Sequence, residues 1–269
     1  MRIGSRDFAT IGHTYIMGIL NVTPDSFSDG GKFDQIDAAL KHAEEMIRDG
    51  ADVIDIGGES TRPGYTKISD EEETGRGVPV IAAVKKEFGI PISVDTYKSG
   101  VAEAAAQAGA DLINDIWGLK YDPHMSEVIA KSGLACCLMH NRDNTEYRNF
   151  MEDVKQDLRE TIALAKAAGI ADDKIILDPG VGFAKSYENN LEVIRRLKEF
   201  NELKYPVLLG TSRKSVIGLT LDLPAAERVE GTIVTTVMAV EAGCMFVRVH
   251  DVKENHRAIQ MAEAILDRK

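Results

Sequence analysis

The chain alternates between short apolar runs and longer stretches in which apolar residues recur at helical spacing. The apolar runs are bounded by turn residues, and the eight of them read YIMGILNV, DVIDIGG, PISVDT, DLINDIW, LACCLMH, KIILDPG, PVLLGTS and CMFVRVHD. Each run has the length of a strand and is nearly continuous in its apolar character, which is typical of parallel strands that are buried on both faces. The pattern therefore predicts a sheet of eight parallel strands.

The stretches between these runs have helical periodicity. In QIDAALKHAEEMIRDG, Ile36, Leu40, Ala43 and Ile47 fall on one face, and Gly50 follows the last turn. The same periodicity recurs in GVAEAAAQAG, MSEVIAKSG, VKQDLRETIALAKAAG and ENNLEVIRRLKEF. Strands and helices that alternate to the end of 269 residues favour a closed (β/α)8 TIM barrel over an open doubly wound sheet. No GxGxxG fingerprint follows the first strand, so no dinucleotide site competes with this interpretation.

A weak internal repeat supports the barrel. The segments DGADVIDIGG, AGADLINDIWG and AGCMFVRVHD each run from a helix-ending glycine into a strand. Five residues after that glycine stand Asp55, Asn114 and Arg248, at a position that a barrel places near the carboxyl end of the strand. No linker or low-complexity segment divides the chain. We therefore expect one domain over residues 1–269, with long first and second βα loops.

Composition and net charge argue against some classes of binding partner. The chain is 44% hydrophobic and 28% charged, as in globular proteins with a full core, and its net charge is −11. A negative chain lacks the basic face that nucleic acid or an anionic membrane requires. The first ten residues, MRIGSRDFAT, contain no apolar signal region, and no run is long enough to span a membrane, so we expect a cytoplasmic protein. The three cysteines are interpreted as buried small hydrophobes.

Polar side chains stand at the predicted carboxyl ends of the strands, where barrels of this type build their active sites. Asp95, Asn114 and Asp178 offer carboxylates and an amide, which suit a flat ring that presents adjacent N–H donors. Lys214 is placed to reach a ring carbonyl or nitrogen. This group of residues predicts a site for a planar heterocycle.

A second group is suited to an anion rich in oxygen. Its members are Thr61, Arg62, Arg248 and His250. Because the whole chain is negative, an anionic ligand has to be met by such a local cluster. Asn21 and Asp29 are hard oxygen ligands, and Mg²⁺ usually takes only one or two protein ligands beside phosphate oxygens. Together the two groups predict a heterocycle beside a phosphate-like group.

Two long motifs identify a family. MGILNVTPDSFSDGG and GADVIDIGGESTRPG resemble the two signature segments of the dihydropteroate synthases, folate-pathway enzymes that sulfonamides inhibit. The resemblance continues through SVDTYK, LINDIWG, ILDPGVGFAK, GTSRKSVIG and RVHDV, so it covers nearly the whole chain. It implies a (β/α)8 barrel, usually a homodimer, that uses Mg²⁺. The implied reaction joins 4-aminobenzoate to (7,8-dihydropterin-6-yl)methyl diphosphate, releasing diphosphate and forming 7,8-dihydropteroate.

The resemblance also implies roles for the matching residues. The pterin is expected to contact Asp95, Asn114, Ile116, Met139, Asp178, Phe183, Lys214 and Arg248. The diphosphate is expected to contact Thr61, Arg62, Arg248 and His250, and the aminobenzoate Phe27, Pro63, Lys214 and Ser215. Asn21 is expected to ligate the metal. The residues expected to act in catalysis are Asp29, Arg62, Lys214 and Arg248. No general base is expected, because an aromatic amine is neutral at pH 7.

Two loops need separate interpretation. TPDSFSDGGKF is expected to be a mobile lid in which Gly30 and Gly31 supply backbone freedom, although a solvated turn would have a similar composition. The loop after the fifth strand departs from the family, which often has glycine and proline there, whereas MHNRDNTEYRNF is charged and lacks both. The role of residues 140–150 is therefore open.

Two other functions compete with this one. A pterin-binding methyltransferase acting on methyltetrahydrofolate resembles this barrel but has no diphosphate to hold, so the anion-binding group argues against it. A non-catalytic homologue would be expected to have lost Arg62, Asp29 or Lys214, and all three are present.

Overall fold

All eight predicted strands are present in the computed structural model of the protein, which describes residues 1–23, 32–60 and 66–268. A short hairpin precedes them, formed by β1 (Arg2–Ile3) and β2 (Arg6–Asp7). The eight strands are β3 (Tyr15–Asn21), β4 (Val53–Gly57), β5 (Ile92–Asp95), β6 (Leu112–Asp115), β7 (Ala135–Met139), β8 (Ile175–Asp178), β9 (Leu208–Leu209) and β10 (Phe246–Val249).

The helices alternate with these strands as the periodicity predicts. They are α1 (Lys32–Arg48), α2 (Asp70–Phe88), α3 (Ser99–Ala108), α4 (Met125–Ser132), α5 (Phe150–Ala167), α6 (Tyr187–Arg195), α7 (Ser215–Leu221), α8 (Val229–Ala242) and α9 (Val252–Ile265). In the part of the chain that the structure describes, none of these helices is both long and apolar enough to cross a bilayer.

The strands form a nearly closed parallel barrel. Their order is β8-β7-β6-β5-β4-β3-β10-β9, and each neighbouring pair is parallel. A parallel bridge between Leu177 and Val207 joins β8 to the residue before β9, and Leu177 N donates to Pro206 O at 2.9 Å. These bonds connect the two ends of the sheet, which confirms the predicted (β/α)8 fold.

The alternation of side chains along each strand separates two apolar layers. In β10, Val247 and Val249 face the helices in the outer layer, whereas Phe246 belongs to a cluster inside the barrel. The same alternation holds in β4, where Ile54 and Ile56 face outward. Every second residue of a strand therefore points into the barrel, which fixes where the polar side chains at the strand ends must go.

The hairpin closes the amino-terminal end of the barrel. Ile3 and Phe8 are buried in the same cluster as the inward-facing Phe246, and Phe8 also packs edge-on against Tyr15 with ring centroids 4.9 Å apart. The sequence did not predict this hairpin, because its strands are only two residues long. With this end filled, the carboxyl end of the barrel is left for a ligand.

A buried lysine fixes the start of the second βα loop. Lys98 Nζ lies 2.7 Å from Glu59 Oε2 and 2.8 Å from Glu73 Oε2, and it donates to Ile68 O at 2.7 Å. Glu59 Oε2 also accepts from Ile68 N at 3.0 Å, and its Oε1 accepts from Tyr97 Oη at 2.6 Å. The residues on either side of the loop are therefore held together by one ammonium group.

Replacing Lys98 with methionine should destabilise the protein by about 3–5 kcal/mol, because two carboxylates would remain buried without their cation. The side chains of Glu59 and Glu73 are 1% and 2% exposed. Urea unfolding measures the change in the free energy of unfolding. Lys131→Met is the control, since it removes an exposed ion pair to Glu127 and should change little. Equal midpoints for the two variants would contradict the structural role of Lys98.

Candidate active site

The polar residues at the strand ends meet inside the carboxyl end of the barrel. Asp95 and Asn114 are register partners on neighbouring strands, and Asp55 lies on the next strand along. Arg248 follows the inward-facing Phe246 by two positions and so points into the same interior. The internal repeat predicted a common position for Asp55, Asn114 and Arg248, and the structure brings these three side chains together.

Arg248 holds two buried carboxylates. Its Nε lies 2.6 Å from Asp55 Oδ2, and one terminal nitrogen lies 2.7 Å from Asp95 Oδ2. Asn114 Nδ2 donates to the same Asp55 oxygen at 3.4 Å. The sequence placed Asp55 at a strand end without giving it a role. The structure makes this fully buried side chain the group that orients both Arg248 and Asn114.

Each of the two carboxylates has a second buried oxygen, Oδ1 of Asp55 and Oδ1 of Asp95, with no hydrogen-bond partner among residues 1–23, 32–60 and 66–268. A buried polar atom without a partner is costly. Burial raises the pKa of Asp95 to about 7, against the opposing charge of Arg248. The site is therefore built to receive N–H donors.

Asp178 and Lys214 converge on the same mouth. A β-carbon placed on Gly210 would lie 3.5 Å from Asp178 Oδ2, 3.7 Å from Lys214 Nζ and 4.0 Å from Arg248 Cβ. These are ordinary contact distances, so the three side chains surround one point beside position 210. Burial also raises the pKa of Asp178, with Lys214 as the main opposing charge. Acidic and basic side chains thus lie side by side at this end of the barrel.

Lys214 is oriented by the loop after β8. Its Nζ donates to Val181 O at 2.5 Å and lies 4.8 Å from the centroid of the Phe183 ring. Desolvation lowers the pKa of Lys214 to about 8, although the carboxylate of Asp178 acts in the opposite direction. The amine is therefore close to its titration range at neutral pH.

The predicted apolar walls also lie together. Ile116 and Met139 form a buried cluster with Tyr97, and Phe183 and Trp117 pack against it. This cluster is distinct from the one that fills the amino-terminal end of the barrel. The sequence named Ile116, Met139 and Phe183 and missed Tyr97 and Trp117, although SVDTYK and LINDIWG contain them. An aromatic residue two positions after the aspartate that ends each strand is the signal that could have found both.

Three further predicted site residues lie in the described part of the chain, namely Asn21, His250 and Ser215. Asn21 ends β3, and a β-carbon on Gly57 would lie 3.8 Å from Asn21 Oδ1 and 3.5 Å from Asp95 Cβ. His250 follows β10, and its Nδ1 is 2.9 Å from Ser212 Oγ. Ser215 is exposed at the first residue of α7, next to Lys214. The structure thus places Asn21 near Asp95 and His250 beside Ser212, while Ser215 follows Lys214 in the chain.

Five predicted site residues lie outside the described part of the chain. These are Phe27, Asp29, Thr61, Arg62 and Pro63. The lid predicted over residues 23–33 also falls largely on such positions. Their roles stay predictions.

The chain is similar to characterised proteins over its whole length. The model of the family described as "Pterin binding enzyme" matches residues 17–250. A dihydropteroate synthase of Clostridium beijerinckii is 61% identical over 100% of both chains. A crystal structure of the Clostridium difficile dihydropteroate synthase, determined in the presence of pteroic acid, has a TM-score of 0.93 at 51% identity and full coverage of both chains.

A further solved structure, the Xanthomonas albilineans dihydropteroate synthase with 4-aminobenzoic acid, has a TM-score of 0.90 at 40% identity, covering 94% of this chain and 93% of that one. The family match, the full-length identity and the agreement of the folds all point in one direction. The chain belongs to the pterin-binding enzyme family, and within it to the dihydropteroate synthases.

Proposed function

We propose that the chain joins (7,8-dihydropterin-6-yl)methyl diphosphate to 4-aminobenzoate, forming 7,8-dihydropteroate and diphosphate. The observation that carries this proposal is the convergence of Asp95, Asn114 and Asp178 with Arg248 and Lys214 at one mouth of the barrel. These groups match the two halves of the first substrate. The solved relatives with pteroic acid and with 4-aminobenzoic acid support it. A methyltransferase is not favoured, because the full-length relatives are dihydropteroate synthases.

The pterin occupies the acidic half of the site. Its N–H donors satisfy the buried oxygens of Asp95 and bond to Asn114 and Asp178, while Ile116, Met139 and Phe183 cover its faces. Arg248 changes partners at this step: a ring donor replaces it at Asp95, and the guanidinium turns toward the diphosphate beside His250. Thr61 and Arg62 are assigned to the same diphosphate from their motif.

The substitution is dissociative. The bond between the methylene carbon and the diphosphate oxygen breaks first, and its electron pair leaves with the diphosphate. The electron-rich dihydropterin delocalises the cation that remains. The lone pair of the aromatic amine then forms the new C–N bond, and the amine proton passes to solvent.

The contribution of the protein is electrostatic. Arg248 offsets negative charge on the leaving group, a role in which a single donor contributes about 3 kcal/mol. Asp29 is assigned to the methylene end, where its charge favours the cation. Lys214 and Ser215, neighbours at the start of α7, are assigned to the aminobenzoate, and Phe27 and Pro63 are assigned to it from their motifs.

The residues present fit a magnesium ion that is shared with the substrate. Asn21 would supply one side-chain oxygen at the rim. Across the described ranges, no three His, Cys, Asp or Glu side chains converge on a position that could hold a metal, so phosphate oxygens would complete the coordination. When bound, the ion neutralises charge on the diphosphate.

The proposed assembly is a homodimer. Exposed apolar side chains lie on the neighbouring helices α7, α8 and α9. They are Leu219, Leu221, Val234, Val237, Met261 and Ile265. We infer that the same face of a second copy of the chain packs against this surface. The family's motifs imply a homodimer, and a symmetric dimer needs a self-complementary apolar patch.

The reaction has a direct test. With Mg²⁺, pterin diphosphate and 4-aminobenzoate, the purified protein should release one diphosphate for each dihydropteroate formed, and EDTA should abolish both. Without the amine, oxygen-18 in the bridging position of the substrate should exchange into non-bridging positions, because a dissociated diphosphate can rotate before it recombines. Absence of product would refute the function, and product without exchange would refute the dissociative order.

Pterin affinity should depend on the ionisation of Asp95. The raised pKa of about 7 means that the carboxyl group is increasingly protonated as the pH falls below 7, and a protonated oxygen cannot accept a ring N–H bond. The dissociation constant of 6-hydroxymethylpterin should therefore rise from pH 8 to pH 5.5, approaching tenfold per unit below the pKa. In calorimetry, the control variant Asp95→Asn should bind this pterin more weakly than the wild type, and its dissociation constant should change less with pH. A flat wild-type profile would contradict this assignment.

A charge in the apolar face should disrupt the dimer. Val234 is 60% exposed, so Val234→Glu should leave the fold intact and reduce the mass in light scattering from twice 29.4 kDa to that of one chain. Leu164→Glu is the matched control, because Leu164 is 45% exposed on α5 and lies outside this face. A wild-type mass of one chain, or equal effects of both variants, would exclude this interface.

A further inference from the structure

The loop after β8, residues 179–185, is held by a chain of three side chains that the proposed reaction does not use. Asp157 Oδ2 lies 2.9 Å from His140 Nε2, and His140 Nδ1 lies 2.8 Å from Lys185 Nζ. Lys185 Nζ also donates to Gly180 O at 2.9 Å and to Phe183 O at 3.1 Å. An ammonium group has three donors, and Lys185 has three acceptors around it.

The histidine is neutral and has one consistent tautomer. Its side chain is 0% exposed, and burial together with the charge of Lys185 lowers its pKa to about 4. Nε2–H then donates to the carboxylate of Asp157, and Nδ1 is left to accept from Lys185. This tautomer is assigned from the hydrogen-bond network. His140 thereby connects helix α5 to the loop.

A second contact joins the charged loop after β7 to the same segment. Tyr147 Oη donates to Ala184 O at 2.7 Å, where the backbone of Ala184 is left-handed at φ 46°. Arg142 supports this contact: its Nε lies 2.5 Å from Asp157 Oδ2, and its guanidinium lies 4.5 Å from the centroid of the Tyr147 ring. The loop that departs from the family pattern therefore packs on the loop after β8.

The approach of the two loops is close at their bases. A β-carbon on Gly180, whose φ is +70°, would lie 2.0 Å from His140 O. Only glycine fits at this position. The two loops are thus in direct backbone contact as well as joined through side chains.

The segment held in this way contacts the substrate-binding groups directly. Its Gly180 N donates to Asp178 Oδ1 at 2.7 Å, its Val181 O accepts from Lys214 Nζ, and its Phe183 forms part of the apolar wall. A displacement of the segment would move the wall and release Lys214, while Arg248 and His250 stand on β10 and just after it.

We propose that Lys185, oriented by His140 and Asp157, is a positioning residue that fixes the pterin-binding wall and the amine of Lys214 without contacting either substrate. This inference rests on the proposed function, because it assigns the wall to the pterin. It also gives the atypical loop 140–150 a role, since Arg142 and Tyr147 complete the same network.

The variant Lys185→Met distinguishes a positioning role of Lys185 from a general effect on the stability of the protein. The dissociation constant of 6-hydroxymethylpterin should rise at least tenfold, whereas that of inorganic diphosphate with Mg²⁺ should stay within twofold. Lys155→Met is the matched control, because Lys155 is 4% exposed and ion-paired to Glu152, Glu199 and Glu202, none of which belongs to the site or to the network of Lys185. It should lower the melting temperature and leave both constants within twofold.

Tyr147→Phe removes one hydroxyl and leaves the ion pairs in place, so it tests the same idea if Lys185→Met fails to fold. Its pterin dissociation constant should rise two- to fivefold with no change for diphosphate. Equal losses for pterin and diphosphate, or unchanged pterin binding in a folded variant, would overturn the positioning role. Failure of the wild-type chain to form dihydropteroate would count against the proposed function instead, since the binding measurements do not require turnover.

Discussion

The guanidinium of Arg248 lies between the buried carboxylates of Asp55 and Asp95 inside the barrel, and the arrangement of the mouth depends on this pairing. Two carboxylates this close to each other would not both stay ionised without a cation. Because Asp55 faces inward by the strand alternation and is fully buried, it cannot turn away to solvent. The positive charge of Arg248 is therefore needed to stabilise the two buried carboxylates, apart from any role in binding a ligand.

In the structure, the guanidinium of Arg248 occupies the place at Asp95 that a donor of the pterin is proposed to take. A guanidinium and the amino-pyrimidine edge of a pterin both present N–H donors in one plane, so either one can satisfy Asp95. Asp55 keeps its bond to the Nε of Arg248 and therefore limits how far the side chain can move. In the proposed reaction, a pterin that takes over Asp95 leaves the terminal nitrogens of Arg248 available to the diphosphate of the same molecule. The proposal thus couples recognition of the ring to recognition of the anion through one side chain.

The parts of this site that could be predicted from the sequence are the residues whose positions are determined by the strands. The period of two and the recurrence of a polar residue after each apolar run were sufficient to place Asp55, Asn114 and Arg248 together, and the motifs placed Ile116, Met139 and Phe183 on one wall. The network of Asp157, His140 and Lys185 was not predicted, because its members come from three different elements and no local pattern relates them. The amino-terminal hairpin was missed for a similar reason: its stability comes from burying Ile3 and Phe8 in the barrel and not from its own sequence.

Two lysines, Lys98 and Lys185, hold the bases of two different loops in the same way. Lys98 joins Glu59 and Glu73 to Ile68 O, and Lys185 joins His140 Nδ1 to two carbonyls of the loop after β8. Each places one ammonium among three acceptors, so each loop base is fixed before any ligand arrives, which lowers the ordering cost of binding. The carboxylates proposed to bind the ring stand on strands and are equally fixed. In the proposed binding step, the long side chain of Arg248 changes partners, from Asp95 to the diphosphate.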